Sequence, residues 1–239
     1  MKPFYEELDF QPTPIGDLIL RRRRMDLLDG LIVHEVLLGD GYLMSSLFHD
    51  VEEALADLGL AAVQGEKLDV VVGGLGLGYT AVAALKDKRV AELLVVDVMA
   101  PVISWHEKEM VPLGKVLNED ARCRFVHADF FALAAAPEIG FDERQPGRKF
   151  HAVLLDIDHS PKNLLTERNA FFYSAEGLRQ LAAQLHPSGV FALWSDDAPD
   201  DDFLHHLAEV FENSRAHVVK FNNPLLDKES ESTVYVARR

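Results

Sequence analysis

Hydrophobic positions along the chain change their period near residue 49. Before it, IGDLILRRRR and GLIVHEVLLGDG are apolar or alternating runs broken by Gly-Asp and Asp-Gly pairs, the pattern of short antiparallel strands joined by turns. Residues 1–48 are expected to form a small N-terminal β region and residues 49–239 the main domain. The arginine run 21–24 fits an edge strand whose outward charges block further pairing, with an anion-binding patch as the other reading. From Asp50, VEEALADLGLAAV has helical spacing, after which strand-like and helical runs alternate. Strands are expected at 68–73, 92–98, 123–128, 151–156 and 189–195, and helices at 78–86, 101–109, 174–185 and 201–213. Two β-rich runs, AHVVKF and STVYVAR, close the chain as a hairpin. Strands separated by helices imply right-handed crossovers and a parallel sheet, to which the hairpin adds one antiparallel strand. The expected fold class is α/β, with a Rossmann-like, seven-stranded, mostly parallel sheet.

The segment LDVVVGGLGLGYTAVAAL, residues 68–85, carries the most chemistry. Three valines enter a glycine cluster and an alanine-rich helix leaves it, so a buried strand turns sharply into a helix. Gly74, Gly76 and Gly78 allow that turn and a close approach of the backbone to a ligand. Free amides at the helix start favour polar or anionic groups. The next strand, LLVVDV, ends at Asp97, placed to accept hydrogen bonds from ribose hydroxyls. HADFF ends the third strand with Asp129, DIDHSP the fourth with Asp156, Asp158 and His159, and WSDD the fifth with Trp194, Ser195, Asp196 and Asp197. Ligands of open parallel sheets bind outside the carboxyl ends of the strands, so these acids converge on one rim. Asp97 and Asp129 are expected to bind the ligand, with helix capping as the alternative. Asp156 follows four apolar residues, and a carboxyl at the lip of a dry core is suited to act as a base or to hold a cationic amine. For Asp158 the competing reading is a turn cap before Pro161. Asp-x-Asp-His lacks the further ligands of a metal site, so no metal is expected. Trp194 suits either a cavity wall or the core, and Cys123 in CRFVHA reads as a core residue.

Composition narrows the classes. With 239 residues and 48% hydrophobic content the chain suits one large domain with a small appendage, and no apolar run approaches a membrane span. The absence of a basic, apolar leader and the single cysteine, which excludes an internal disulfide, lead to the expectation of a cytoplasmic protein. A formal net charge of -15 argues against nucleic-acid binding and would attract cationic substrates such as polyamines.

In order along the chain, VVVGGLGLGYTA, VVDVMAPVI, HADFF, HAVLLDIDHSP and NAFFYSAEGLRQLAAQLHPSGVFAL resemble the spermidine synthase (polyamine aminopropyltransferase) family. The resemblance covers most of residues 14–195 and implies the class I methyltransferase-like fold. It implies an enzyme that transfers aminopropyl from decarboxylated S-adenosylmethionine to a polyamine, leaving methylthioadenosine. Carried over, the glycine loop and Asp97 would hold the nucleoside and its ribose, and Asp129 the adenine amino group. Asp156 would deprotonate the attacking amine, Asp158 or Glu53 would hold its distal ammonium, and Tyr173 would line that channel. A homodimer is a further expectation. The chain also departs from the family. Leu75 and Leu77 stand where the family's loop carries an acid, and His159 stands where the second acid after strand four belongs. LGDGYLMSSLFHDVEEAL replaces the family's Gln-bearing strand. Two alternatives therefore stay open: a methyltransferase using S-adenosylmethionine itself, and a non-catalytic nucleoside-binding relative.

Overall fold

The computed structural model describes residues 4–14 and 16–239. Strands β1 (Tyr5–Thr13), β2 (Gly16–Met25), β3 (Leu31–Leu38) and β4 (Gly41–Ser45) form an antiparallel sheet in chain order. Helix α1 (Asp50–Ala61) leads into β5 (Leu68–Gly73), α2 (Tyr79–Lys86), β6 (Val90–Asp97), α3 (Ala100–Glu107), α4 (Gly114–Glu119), β7 (Cys123–His127) and α5 (Phe130–Ala134). Then come β8 (Phe150–Leu155), a 3-10 stretch (Glu167–Tyr173), α6 (Ala175–Ala183), β9 (Leu185–Ser195), α7 (Asp201–Ala208) and the hairpin β10 (Asn213–Asn223) and β11 (Lys228–Arg238). The main sheet has seven strands in the order β10-β11-β9-β8-β5-β6-β7. Strands β5 to β9 are parallel, and β11 joins β9 antiparallel. This is the α/β, mostly parallel sheet that the alternation of periods predicts.

Both faces of the sheet are covered, which explains why its strands read as unbroken apolar runs. Val70, Val72, Leu93, Val95, Ala152 and Leu154 face one apolar cluster, and Val71, Leu94, Val96, Val153 and Leu155 face the other. Chain order reverses between β5 and β8, the two neighbours at the centre of the sheet, so the loops leaving them diverge and open a crevice at their carboxyl ends.

The arginine run corrects the edge-strand expectation. β2 is an interior strand, paired with β1 on one side and β3 on the other. Its charges are accommodated by acids on neighbouring elements: Arg21 and Arg23 each reach Glu35 at 2.8 Å, Arg22 reaches Glu6 at 2.7 Å, and Arg24 reaches Asp26 at 2.8 Å. Acids directly across the ladder, Glu35 opposite Arg21 and Glu6 opposite Arg22, remove the repulsion that would bar an interior place. The other face of this sheet is apolar. Leu18, Leu20 and Val36 are fully buried in the same cluster as Val51, Leu55, Leu75 and Leu77. The Trp105 indole of α3 donates to Asp9 of β1 at 2.6 Å.

Candidate active site

The crevice is built where β5 and β8 run out. Gly73 pairs with Leu155, and the next amide along β8, that of Asp156, donates to the Gly73 carbonyl at 2.8 Å. Gly74 then turns away with φ +93°, and a Cβ there would lie 1.9 Å from the Asp156 carbonyl oxygen. The glycine is therefore required by the neighbouring strand end. Gly78 (φ +94°) caps α2, where a Cβ would come within 2.9 Å of the His106 ring. That ring is neutral, its pKa lowered to about 4 by burial, and its Nε2 donates to the Gly76 carbonyl at 3.0 Å.

Asp156 leaves β8 at the floor of a cavity of about 200 Å³. The Thr80 hydroxyl, in the first turn of α2, donates to its Oδ2 at 2.8 Å. A second acid faces it: Glu52, from the first turn of α1, lines the same cavity as Asp156, the glycine loop, Met44, Phe48 and Trp194. Glu52 is pushed up to about 8, first by burial and then by the charge of Asp156; burial raises Asp156 to about 6, against the opposing Thr80 bond. Two carboxyls in one dry cavity do not both ionise comfortably near neutral pH. A cation placed between them relieves that cost, and a primary ammonium supplies both charge and donors.

Glu52 is the residue that sequence reasoning missed. The expectation fell on Glu53, whose carboxylate is turned outward between Lys86 (2.6 Å) and His49 (2.9 Å). The signal was present in the helical period: Glu52 stands three, four and seven residues before Leu55, Ala56 and Gly59, all buried on the core-facing stripe of α1. An acid on such a stripe is carried inward with it. Thr80 was also missed, being an unremarked residue of the loop's own helix.

The remaining expected residues have these positions. Asp97 Oδ2 accepts the Leu75 amide at 2.9 Å and Oδ1 the Met99 amide at 2.7 Å, which fixes the loop to the end of β6. Burial raises its pKa despite those bonds and a third from the Gly76 amide. Asp129 is exposed and caps α5, its Oδ1 accepting the Phe131 (2.9 Å) and Ala132 (3.2 Å) amides. Asp158 and Tyr173 lie off the cavity wall and bond to each other at 2.9 Å. Asp158, 1% exposed, also accepts from the Leu165 amide at 2.7 Å and, with each of its two oxygens, from the Asn169 Nδ2 at 2.9 Å. Its acceptor positions are filled by the segment it folds down, so the position sequence reasoning gave it as an ammonium ligand is corrected to a loop anchor. His159 and Trp194 do line the cavity.

Among the described residues, Asp69, His151 and His186 have ligand atoms within 4.8 Å of one another. They sit at the start of β5, β8 and β9, away from the crevice. The Asp69 amide donates to His151 Nδ1 at 3.0 Å, which leaves the ring proton on Nε2, and Arg148 holds the Asp69 carboxylate at 2.9 Å. A protonated nitrogen and an occupied carboxylate do not suit a metal ion.

Comparison with known proteins places the fold. No family model matches the sequence, and no curated protein matches it. Solved structures do. A spermidine synthase in complex with the transition state analogue AdoDATO superposes with a TM-score of 0.72 and 17% identity, over 97% of this chain and 73% of that one. The spermidine synthase from Thermotoga maritima gives the same TM-score and identity, over 97% and 72%. At this identity the chain shares the fold of the spermidine synthase structures from its N-terminal sheet to its final hairpin.

Proposed function

We propose that the protein is an aminopropyltransferase-like enzyme that moves an aminopropyl group from decarboxylated S-adenosylmethionine to a polyamine. The observation that carries this reading is the Glu52–Asp156 pair facing one cavity with the glycine loop. Two acids favour ammonium groups and repel the carboxylate that intact S-adenosylmethionine carries at the end of its arm. Leu75 and Leu77, each 4% exposed, leave the loop itself without charge, so in this reading Glu52 supplies what the loop lacks. Gly74, Gly76, Gly78, Asp97 and Asp129 would hold the nucleoside, Asp97 through the acceptor capacity its backbone bonds leave free. Asp156 takes a proton from the acceptor's ammonium. The freed nitrogen lone pair forms a bond to the aminopropyl carbon attached to sulfur, the carbon–sulfur bond breaks, and its electron pair returns to sulfur in methylthioadenosine. Thr80 keeps the Asp156 carboxyl oriented toward the cavity.

The uncharged loop also supports a second reading, a methyltransferase using S-adenosylmethionine. One assay tests both: methylthioadenosine release from decarboxylated S-adenosylmethionine with putrescine and longer amines, beside S-adenosylhomocysteine release from the intact cofactor. The transferase reading expects methylthioadenosine, and Asp156→Asn lowers its turnover by about 10²-fold or more, the scale of general-base loss, with nucleoside binding little changed. Wild-type protein that releases none with any amine removes the aminopropyl reading.

A further inference from the structure

The final hairpin is longer than the sheet it joins. β10 and β11 pair along their whole length, from Asn213 opposite Arg238 to Asn223 opposite Lys228. β11 pairs with β9 only from Thr233 to Arg238, because β9 ends at Ser195. Residues 228–232 and their partners 219–223 therefore project past the carboxyl ends of the parallel strands as a two-stranded flap, roughly 16 Å long at about 3.3 Å per residue. An isolated ribbon of this kind is marginal by itself and needs something to pack against.

The flap closes one side of a groove of about 640 Å³, whose other side is the start of α1. This groove shares Phe48, Glu52 and Trp194 with the cavity that holds Asp156, so the two spaces meet at Glu52. Residues directly opposite in a ladder share a face, so Phe221 and Ser230 look the same way, as do Val219 and Ser232. Phe221 lies 5.8 Å from Phe48, ring centre to ring centre, bridging flap and α1 side. The groove is thus aromatic along its walls, with Trp194, Phe48 and Phe221, and acidic at intervals, with Asp50, Glu52 and Asp196. Ser232 donates to Asp196 at 3.2 Å. The basic residues of the lining are Lys228 at the flap tip and His49, which stacks on Tyr79 and pairs with Glu53.

Alternating rings and carboxylates match a flexible chain in which apolar methylene runs separate ammonium groups. Methylenes pack on the rings, ammoniums reach acids, and a cation over Trp194 or Phe221 gains from the ring quadrupole. In the transferase reading a short diamine engages the Glu52–Asp156 cavity alone. We infer that the groove between the hairpin flap and α1 is an extension of the acceptor site that selects linear triamines or longer polycations over diamines. This inference rests on the transferase reading above.

The test compares putrescine, spermidine and spermine in the methylthioadenosine assay, and measures the binding of each amine by calorimetry. Wild-type protein is expected to favour spermidine or spermine over putrescine by about 10-fold or more in kcat/KM, the size of one added ammonium–acid contact. Asp196→Asn and Phe221→Ala should each lower the spermidine-to-putrescine ratio by about 5- to 10-fold, through KM and not kcat. Asp196→Asn preserves shape, so it guards against a folding defect in the phenylalanine variant. Turnover of putrescine with no preference for longer amines, or equal losses for all amines in both variants, overturns the groove and leaves the transferase reading intact. Binding of spermidine that weakens in both variants, with no turnover of any amine, supports the groove and removes the transferase reading.

Discussion

Glu52 and Asp156 set a pH dependence on the ligand-free protein, since both carboxyls are raised in the folded state by burial and, for Glu52, by the neighbouring acid. In the unfolded chain both return to the ordinary carboxylate range. The folded state then holds protons that the unfolded state has lost, so stability from this pair is fully present below the ordinary range and falls as pH rises toward 8. Glu52→Gln removes the titrating charge and keeps the shape. It is expected to leave stability near wild type at pH 5 and to raise it by roughly 1–3 kcal/mol at pH 8.5, the scale of an uncompensated buried polar group. Thermal melts at the two pH values check this, and an effect of equal size at both would remove the buried pair as its cause. The same logic gives the ligand its role. A diammonium compound competes with protonation of the pair, so wild-type affinity for it should improve between pH 6 and 8.

At the scale of elements, the glycine loop makes a sharper prediction. Gly74→Ala meets two obstacles: a φ of +93° that an L side chain adopts only with strain, and a backbone oxygen of Asp156 at 1.9 Å that no rotamer avoids. It should cost at least about 3 kcal/mol, at the upper end of what one strained position costs. Gly76→Ala, at φ +51° with only the flexible Met44 sulfur nearby at 3.4 Å, should cost about 1 kcal/mol. Urea unfolding of both variants checks the difference, and similar costs would place the constraint in the φ angle alone. This loop was legible in the sequence because a valine run, glycines at alternate positions and an alanine-rich helix each have one simple physical reading. The strand ends at Asp97 and Asp156 were legible for the same reason. What escaped were interactions across elements. α4 is only six residues long, too short for a period to register. The tip of the hairpin flap is polar, so residues such as Asn223 and Ser230, bonded at 3.0 Å, carry no apolar alternation to announce strands. Asp158 was read as a rim acid because its partners, Leu165, Asn169 and Tyr173, lie 7, 11 and 15 residues further on.

At the scale of the whole molecule, the N-terminal sheet and the main sheet share one interior. Leu18, Leu20 and Val36 are packed with Leu55, Leu75 and Leu77, so the glycine loop's two leucines are covered partly by the antiparallel sheet. The sheet also supplies Leu43, Met44 and Ser45 to the cavity wall beside Asp156. A boundary at residue 49, natural from the change in hydrophobic period, therefore cuts through a core. Removing residues 1–48 would expose a face of α1 and of the loop built for burial, at about 25 cal/mol for each Å² of apolar surface uncovered. Several large side chains lie on that face, and a marginally stable fold does not absorb losses of this kind. A chain of residues 49–239 is expected to lose the cooperative thermal transition of the intact protein and, with it, measurable binding of methylthioadenosine. Circular dichroism melts and calorimetry on the two chains check it. A cooperative transition within a few degrees of the intact protein would mean that the two sheets carry separate cores, and that the N-terminal sheet serves only to wall the site.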